Sequence, residues 1–247
     1  MSLLAVSDLT MSFGGVRAVD GLSFRVAAGS MTAIIGPNGA GKTTCFNLLN
    51  GQLRPDGGKV HLDGKDVTGL RPRQLARLRV GRTFQVTATF ASMSVRQNVQ
   101  MALISHNKVV NRFWLTAAVQ FREEAEALLG RVGLASQIDR SCALLAYGDL
   151  KRLELAMALA MDPLLLLMDE PTAGMAAQER HQLMELTADI VRSNGITVLF
   201  TEHDMDVVFG HADSIIVMNR GRLLREGTPA EVRADPEVKR VYLGGSQ

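Results

Sequence analysis

The chain has 247 residues, 47% hydrophobic and 21% charged, with 27 Lys and Arg against 25 Asp and Glu for a net charge of +2. That apolar fraction is ample for a packed core and excludes a disordered or low-complexity chain, and the length fits one α/β domain or one with a subdomain. The longest uncharged stretch, Val26–Gly41, has 16 residues and carries four glycines with Ser30 and Asn38, which excludes a membrane-spanning helix of about 20 apolar residues.

Ser7, Asp8 and Thr10 interrupt the only early apolar stretch, so no secretory leader is expected. Short strands are predicted at Leu3–Ser7, Ser23–Val26, Met31–Ile35 and Lys59–Leu62, with turns at Gly14-Gly15, Asp56-Gly57-Gly58 and Asp63-Gly64. A helix-compatible run follows at Thr43–Leu49. Residues from about Ser94 to Ala160 read as predominantly helical, and apolar positions 125, 128, 129 and 132 lie on one helix face. Strands then alternate with helices: Leu164–Met168, a helix at Gln178–Arg192, Thr197–Thr201 and Ser214–Met218. Continuous apolar runs between helices predict a buried parallel sheet, with a helical segment inserted into the α/β core. Cys45 and Cys142 show no CxxC spacing and are expected as free thiols in a reducing cytosol.

Charge is unevenly placed. From Val67 to Arg122 there is no Asp or Glu, but nine basic residues: Arg71, Arg73, Arg77, Arg79, Arg82, Arg96, Lys108, Arg112 and Arg122. The other 191 residues hold 18 basic and 25 acidic groups, a net −7. Such asymmetry marks either a surface for anionic partners or a solvated basic face.

Two motifs carry chemistry. Gly36-Pro-Asn-Gly-Ala-Gly-Lys-Thr43 matches G-x-x-x-x-G-K-[ST] between an apolar strand and a helix. Its glycines permit close backbone approach, so successive amides and the helix N-terminus can surround a phosphate. Lys42 would reach the β- and γ-phosphates, and the Thr43 hydroxyl would ligate Mg²⁺. Second, Leu164–Met168 ends in Asp169 and Glu170. Asp169 fits a Mg²⁺-holding carboxylate, and Glu170 can polarise an attacking water. Solvent-facing strand-end acids would explain the pair, but not its company with the phosphate loop.

Together with Phe13, Gly81-Arg-Thr-Phe-Gln85, Leu145-Ala-Tyr-Gly-Asp149, Pro171-Thr172 and Thr201-Glu-His203, these motifs in this order resemble the ATP-binding-cassette (ABC) ATPases over essentially the whole chain. Arg82–Gln85, Tyr147-Gly148, the Pro-Thr-Ala-Gly-Met175 run, Glu226–Glu231 and Val241–Gly244 look like the ATP-binding subunits of branched-chain amino acid importers. The resemblance implies a P-loop NTPase (RecA-like) core with an antiparallel β subdomain, residues 1–85 and about 162–247, and a helical subdomain at about 86–161. It implies ATP and Mg²⁺ as ligands. Gly36, Pro37, Asn38, Gly39, Ala40, Gly41, Lys42, Thr43 and Thr44 would bind the phosphates, Phe13 would stack on adenine, and Thr43, Gln85 and Asp169 would hold the metal. Glu170, His203, Gln85 and Lys42 are the implied catalytic set, His203 contacting the γ-phosphate.

Tyr147 and Gly148, ahead of a helix at Leu150–Ala160, would contact ATP held by another subunit. The common Leu-Ser-Gly-Gly-Gln is altered here: Ala146 removes a hydroxyl and Asp149 adds a negative charge, while Ala176 stands where an Asp is common. The implied assembly is a homodimer or heterodimer with a related ATPase, docked on two permease subunits at the cytoplasmic side of the membrane. A periplasmic or extracellular solute-binding protein takes part indirectly, and no nucleic acid is expected. Alternatives are a urea or amide importer, a lipopolysaccharide exporter, or a soluble cassette protein acting on ribosomes or nucleic acid.

Overall fold

The structure, a computed structural model, describes residues 2–83, 89–107 and 121–243. Gln85, Lys108 and Arg112 lie outside the described residues.

A 12-residue strand β1 (Ser2–Phe13) turns through Gly14-Gly15 into the antiparallel β2 (Val16–Ala27), and β4 (Gly57–Leu62) pairs on its other side. With the short β5 (Lys65–Asp66) they form a four-stranded sheet ordered β2-β1-β4-β5. Both long strands exceed their sequence expectation. The reason is a set of register shifts between Val6 and Met11, with Asp8 at φ 50°, which breaks the period-2 pattern without ending the strand.

The second sheet is built from β3 (Met31–Ile35), β6 (Val80–Thr83), β7 (Leu165–Asp169), β8 (Thr197–Thr201), β9 (Ser214–Asn219) and β10 (Arg222–Gly227). Its order is β10-β9-β3-β8-β7-β6, parallel except for the edge strand β10. The strands expected from apolar runs are present; β6 and β10 were not legible because Arg82, Arg222 and Arg225 interrupt their apolar character.

Successive residues of the central strands serve two cores. Ile34, Leu165, Leu167, Leu199, Ile216 and Met218 pack with α1 (Lys42–Leu49) and the inner face of the antiparallel sheet. Ile35, Leu166, Met168, Val198, Phe200 and Val217 pack instead with α3 (Val95–His106), α4 (Arg122–Arg131), α5 (Tyr147–Leu159), α6 (Ala177–Asn194) and α7 (Met205–His211), while the mostly exposed α2 (Pro72–Arg77) sends Leu75 into the first core. Burial on both faces is why these strands read as unbroken apolar runs. Cys45 sits in the first core, and burial pushes its thiol up to about 12; both cysteines are free.

Local signals fix where helices begin. Ser94 accepts from the Gln97 amide at 3.2 Å while Gln97 accepts from the Ser94 amide at 2.8 Å, a reciprocal cap for α3. Asp204 accepts from the amides of Asp206 and Val207 at the start of α7. Gly195, at φ 65°, ends α6 in the left-handed conformation. β3, β8 and β7 are neighbours, and Asp169 lies directly across from Thr201. Their C-terminal ends therefore converge on the segment that follows Ile35, the usual ligand edge of an open α/β sheet.

Candidate active site

The phosphate loop leaves β3 at Gly36 and enters α1 at Lys42. A Cβ on Gly36 would lie 2.2 Å from the Met218 carbonyl oxygen, and one on Gly41, at φ 98°, 2.2 Å from that of Ala18. Neither position tolerates a side chain. The amide of Gly221 donates to the Ala40 carbonyl at 2.9 Å, so the β9–β10 turn holds the loop from outside. Ala40 is buried, Pro37 and Thr44 are half-buried, and Asn38, Gly39 and Thr43 are exposed. The first turn of α1 carries no acidic residue and no side-chain cap, leaving its amides and positive dipole end available to an anion. Buried Lys42 donates from Nζ to the Gly36 carbonyl at 2.7 Å and the Pro37 carbonyl at 3.3 Å. Burial lowers its pKa, opposed by the charges of Glu170 and Asp169.

Those two carboxylates diverge at the end of β7. Asp169, 5% exposed, accepts from the Thr201 hydroxyl at 2.6 Å, with Arg82 Nη2 3.7 Å from its other oxygen. Glu170 adopts φ 48°, a left-handed conformation costing about 1–2 kcal/mol in a non-glycine residue. Its amide donates to Thr201, backbone carbonyl and hydroxyl alike, at 3.1 Å, which holds the turn in place. The strained turn aims Glu170 away from Asp169 and toward His203, whose Nε2 lies 2.9 Å from Glu170 Oε1. His203 is exposed. Lys42, Asp169, Glu170 and His203 thus converge from three segments: the start of α1, the end of β7 and the loop after β8.

Phe13 is 49% exposed at the β1–β2 hairpin, opposite Val16, and the same hairpin reaches the phosphate loop where Ala18 meets Gly41. An exposed aromatic beside a phosphate loop is a fit stacking surface for a base. Tyr147 and Gly148 form the first turn of α5, which starts three residues before its expected position. The Tyr147 hydroxyl donates to the Ala173 carbonyl at 3.1 Å, and Lys151 Nζ lies 5.5 Å from its ring centroid. Asp149 accepts from Gln137 Nε2 at 2.6 Å, and Gln137 in turn accepts from Arg140 at 2.9 Å. Its added charge is therefore drawn into a polar relay within the helical region.

Thr201, Glu202 and Thr172 stand in the sequence motifs only as neighbours of Asp169, Glu170 and His203, with no role of their own. Their signal was adjacency to Asp169, Glu170 and His203 across neighbouring strands, which only register reveals.

The chemistry of the donor set suits a magnesium-bound nucleoside triphosphate. Among the described residues no group of three or more His, Cys, Asp or Glu side chains is arranged to hold a metal alone. Mg²⁺ usually takes one or two protein ligands and completes its shell with phosphate oxygens and water, so Asp169 and Thr43 beside a phosphate cradle fit it.

A phosphate loop on the central strand, a carboxylate ending a nearby strand and a Glu–His pair on this sheet order define the core of a P-loop nucleoside triphosphatase. Residues 19–173 match the ABC transporter family, and residues 223–246 match the branched-chain amino acid ATP-binding cassette transporter segment. The chain belongs to the ABC transporter family and is an ABC ATPase. It is 41% identical to the high-affinity branched-chain amino acid transport ATP-binding protein LivG of Salmonella typhimurium, over 98% of each chain. It is 39% identical to BraF of Pseudomonas aeruginosa, again over 98% of each. The crystal structure of a nucleotide-free ATP-binding cassette from an ABC transporter superposes with a TM-score of 0.87 at 32% identity, covering 98% of this chain and 99% of that one. An ADP-conformation cassette superposes with a TM-score of 0.88 at 32% identity, covering 99% of each.

Proposed function

We propose that the chain binds and hydrolyses ATP to power import of branched-chain amino acids, or a related small solute, through a membrane permease. The observation that carries the solute class is the match of residues 223–246 to a branched-chain amino acid transporter segment. Full-length similarity to LivG and BraF supports it. The convergence of Lys42, Asp169, Glu170 and His203 supports the hydrolytic step.

In this reading the amides of residues 36–44 and Lys42 bind the β- and γ-phosphates, and Phe13 stacks on the adenine. Glu170 accepts a proton from the attacking water as its oxygen bonds to the γ-phosphorus and the bond to the ADP oxygen breaks. His203 holds Glu170 in orientation and donates to the γ-phosphate. Asp169 and Thr43, with Gln85 on the resemblance, would hold Mg²⁺, which neutralises charge on the β- and γ-oxygens. Tyr147 and Gly148 act on the nucleotide of a second ATPase subunit, identical or related. We read residues 1–85 and about 162–247 as the catalytic core with its β subdomain, and about 86–161 as the helical subdomain.

Among the described residues no helix is long and apolar enough to cross a membrane, so transport rests on membrane-embedded partners, with the ATPase peripheral on the cytoplasmic side. Part of the basic segment is paired internally. Arg79 pairs with Asp162, Arg82 with Asp169, Arg96 with Glu126 and Asp139, and Arg122 with Glu126. Among the described residues Arg71, just before α2, and Arg73 and Arg77 within it form no such pair and are exposed. Of these, Arg73 borders a groove of ≈ 420 Å³ lined also by Leu75, Ala76, Ala102 and Met157. Apolar walls beside unpaired cations suit a permease segment with acidic residues. Arg73→Glu with Arg77→Glu is expected to lower recovery of the ATPase with membranes, while ATP binding by the purified chain stays intact. Unchanged membrane recovery would return these side chains to a merely solvated face.

The solute is tested by uptake. Cells lacking this chain should lose most labelled leucine uptake and regain it on complementation, with urea uptake unaffected. Loss confined to urea would reassign the solute.

A further inference from the structure

Beneath the Glu170–His203 pair lies a carboxylate that the hydrolytic chemistry does not call for. Glu202 follows β8 and is 3% exposed, and among the described residues no cation pairs with it. A charge so placed must be met by hydrogen bonds. Its Oε1 accepts from the Thr172 amide at 2.9 Å and the Thr172 hydroxyl at 2.6 Å. Its Oε2 accepts from the His203 amide at 3.1 Å. One side chain thus grips two separate loops, the one that follows Glu170 and the one that carries His203.

Neighbouring contacts extend this tie in both directions. Ala173, next to Thr172, receives the Tyr147 hydroxyl from the first turn of α5. Arg180 donates from Nε to the Met175 carbonyl at 2.8 Å and pairs through its guanidinium with Asp204, the cap of α7. His203 then meets Glu170. An unbroken chain of contacts runs from Tyr147 through Ala173, Thr172 and Glu202 to His203. Three donors from two loops require an acceptor-only group. A glutamine would turn an NH₂ toward a donor, and an aspartate is one methylene shorter.

We infer that Glu202 is a positioning residue for ATP hydrolysis: it fastens residues 172–175 to His203, so that a shift at the first turn of α5 is carried to the Glu170–His203 pair. The inference rests on the reading of Glu170 and His203 as hydrolytic residues. It adds a route by which contact with a second subunit's nucleotide at Tyr147 sets the geometry of this subunit's own site.

The test compares Glu202→Gln, Thr172→Val and His203→Ala in the full-length chain, each checked by thermal melting. Glu202→Gln should lower kcat about tenfold with the KM for ATP within about twofold, as expected for misplacement of a reacting group rather than loss of substrate binding. Added to His203→Ala, it should cause no further loss, because both changes act through one group. Thr172→Val, which leaves Glu202 in place, should give a smaller fall in the same direction. Amide hydrogen exchange without nucleotide reads the tie independently of turnover: Glu202→Gln should strip protection from the His203 amide. Full kcat in Glu202→Gln, losses that multiply with His203→Ala, or unchanged exchange at the His203 amide would each overturn the inference. Should His203→Ala itself turn over normally, the hydrolytic reading of His203 fails, and the exchange result still decides whether the tie exists.

Discussion

Glu170→Gln is expected to leave ATP affinity within a few-fold of the parent and to slow steady-state turnover by about 10²–10⁴-fold, the range for loss of a positioned general base. The argument rests on separation of roles at the end of β7. Asp169 is buried and engaged by Thr201 and Arg82, whereas Glu170 is turned out by its left-handed backbone toward His203. The amide keeps the shape of the carboxylate and a contact to His203, but has no basic oxygen pair to take a proton from water. ATP binding depends on the loop at 36–44, which this substitution does not touch. Nucleotide titration alongside phosphate release checks both halves of the expectation. Equal loss of affinity and turnover would make Glu170 a binding residue, and full turnover would remove it from the reaction.

Gly41→Ala is expected to do the opposite, abolishing nucleotide binding and lowering stability by about 1–3 kcal/mol. At φ 98° an alanine is strained whatever its surroundings, and its Cβ would stand 2.2 Å from the Ala18 carbonyl oxygen. That oxygen belongs to the β1–β2 hairpin, which is buried against α1 through Leu9, Val19 and Leu22 and has little room to retreat. The loop must give instead, dragging the first amides of α1 and Lys42 away from the positions that cradle phosphate. Gly39, also at positive φ, has no atom within 4 Å of its added Cβ. Gly39→Ala should therefore cost backbone strain alone and retain measurable binding. Parallel melting curves and nucleotide titrations of the two variants compare them directly; equal behaviour would mean that strain, not collision, governs the loop.

The fold was legible where burial is two-sided. Met31–Ile35 and Thr197–Thr201 were placed to the residue, because strands covered on both faces must be apolar throughout. It was less legible at the edges. In β1 bulges scrambled the alternation, and β6 and β10 carry arginines, of which Arg82 and Arg222 meet partners, Asp169 and Asp20, that are distant in sequence. The candidate site divides along similar lines. Lys42, Asp169, Glu170 and His203 were named from local pattern and resemblance, and the folded chain brings them together. Gln85 lies outside the described residues. Glu202 and Thr201 were legible only as motif residues without a role, because a residue's hydrogen-bond partners across a sheet leave no local trace in the chain.

What the amino-acid order determined by itself is therefore the chemistry available: a glycine-lined phosphate loop, a paired carboxylate after an apolar strand and an excess of positive charge between residues 67 and 122. These are local or compositional properties, set by which side chains stand next to one another. Tertiary structure alone decided how that chemistry is wired. It turned Glu170 toward His203, spent four of the described arginines in that segment on internal ion pairs while leaving three at and on α2 to solvent, and placed Glu202 between two loops some thirty residues apart. The reason is physical: pairing and burial depend on strand register and helix docking, and those are fixed only when distant segments pack into one core.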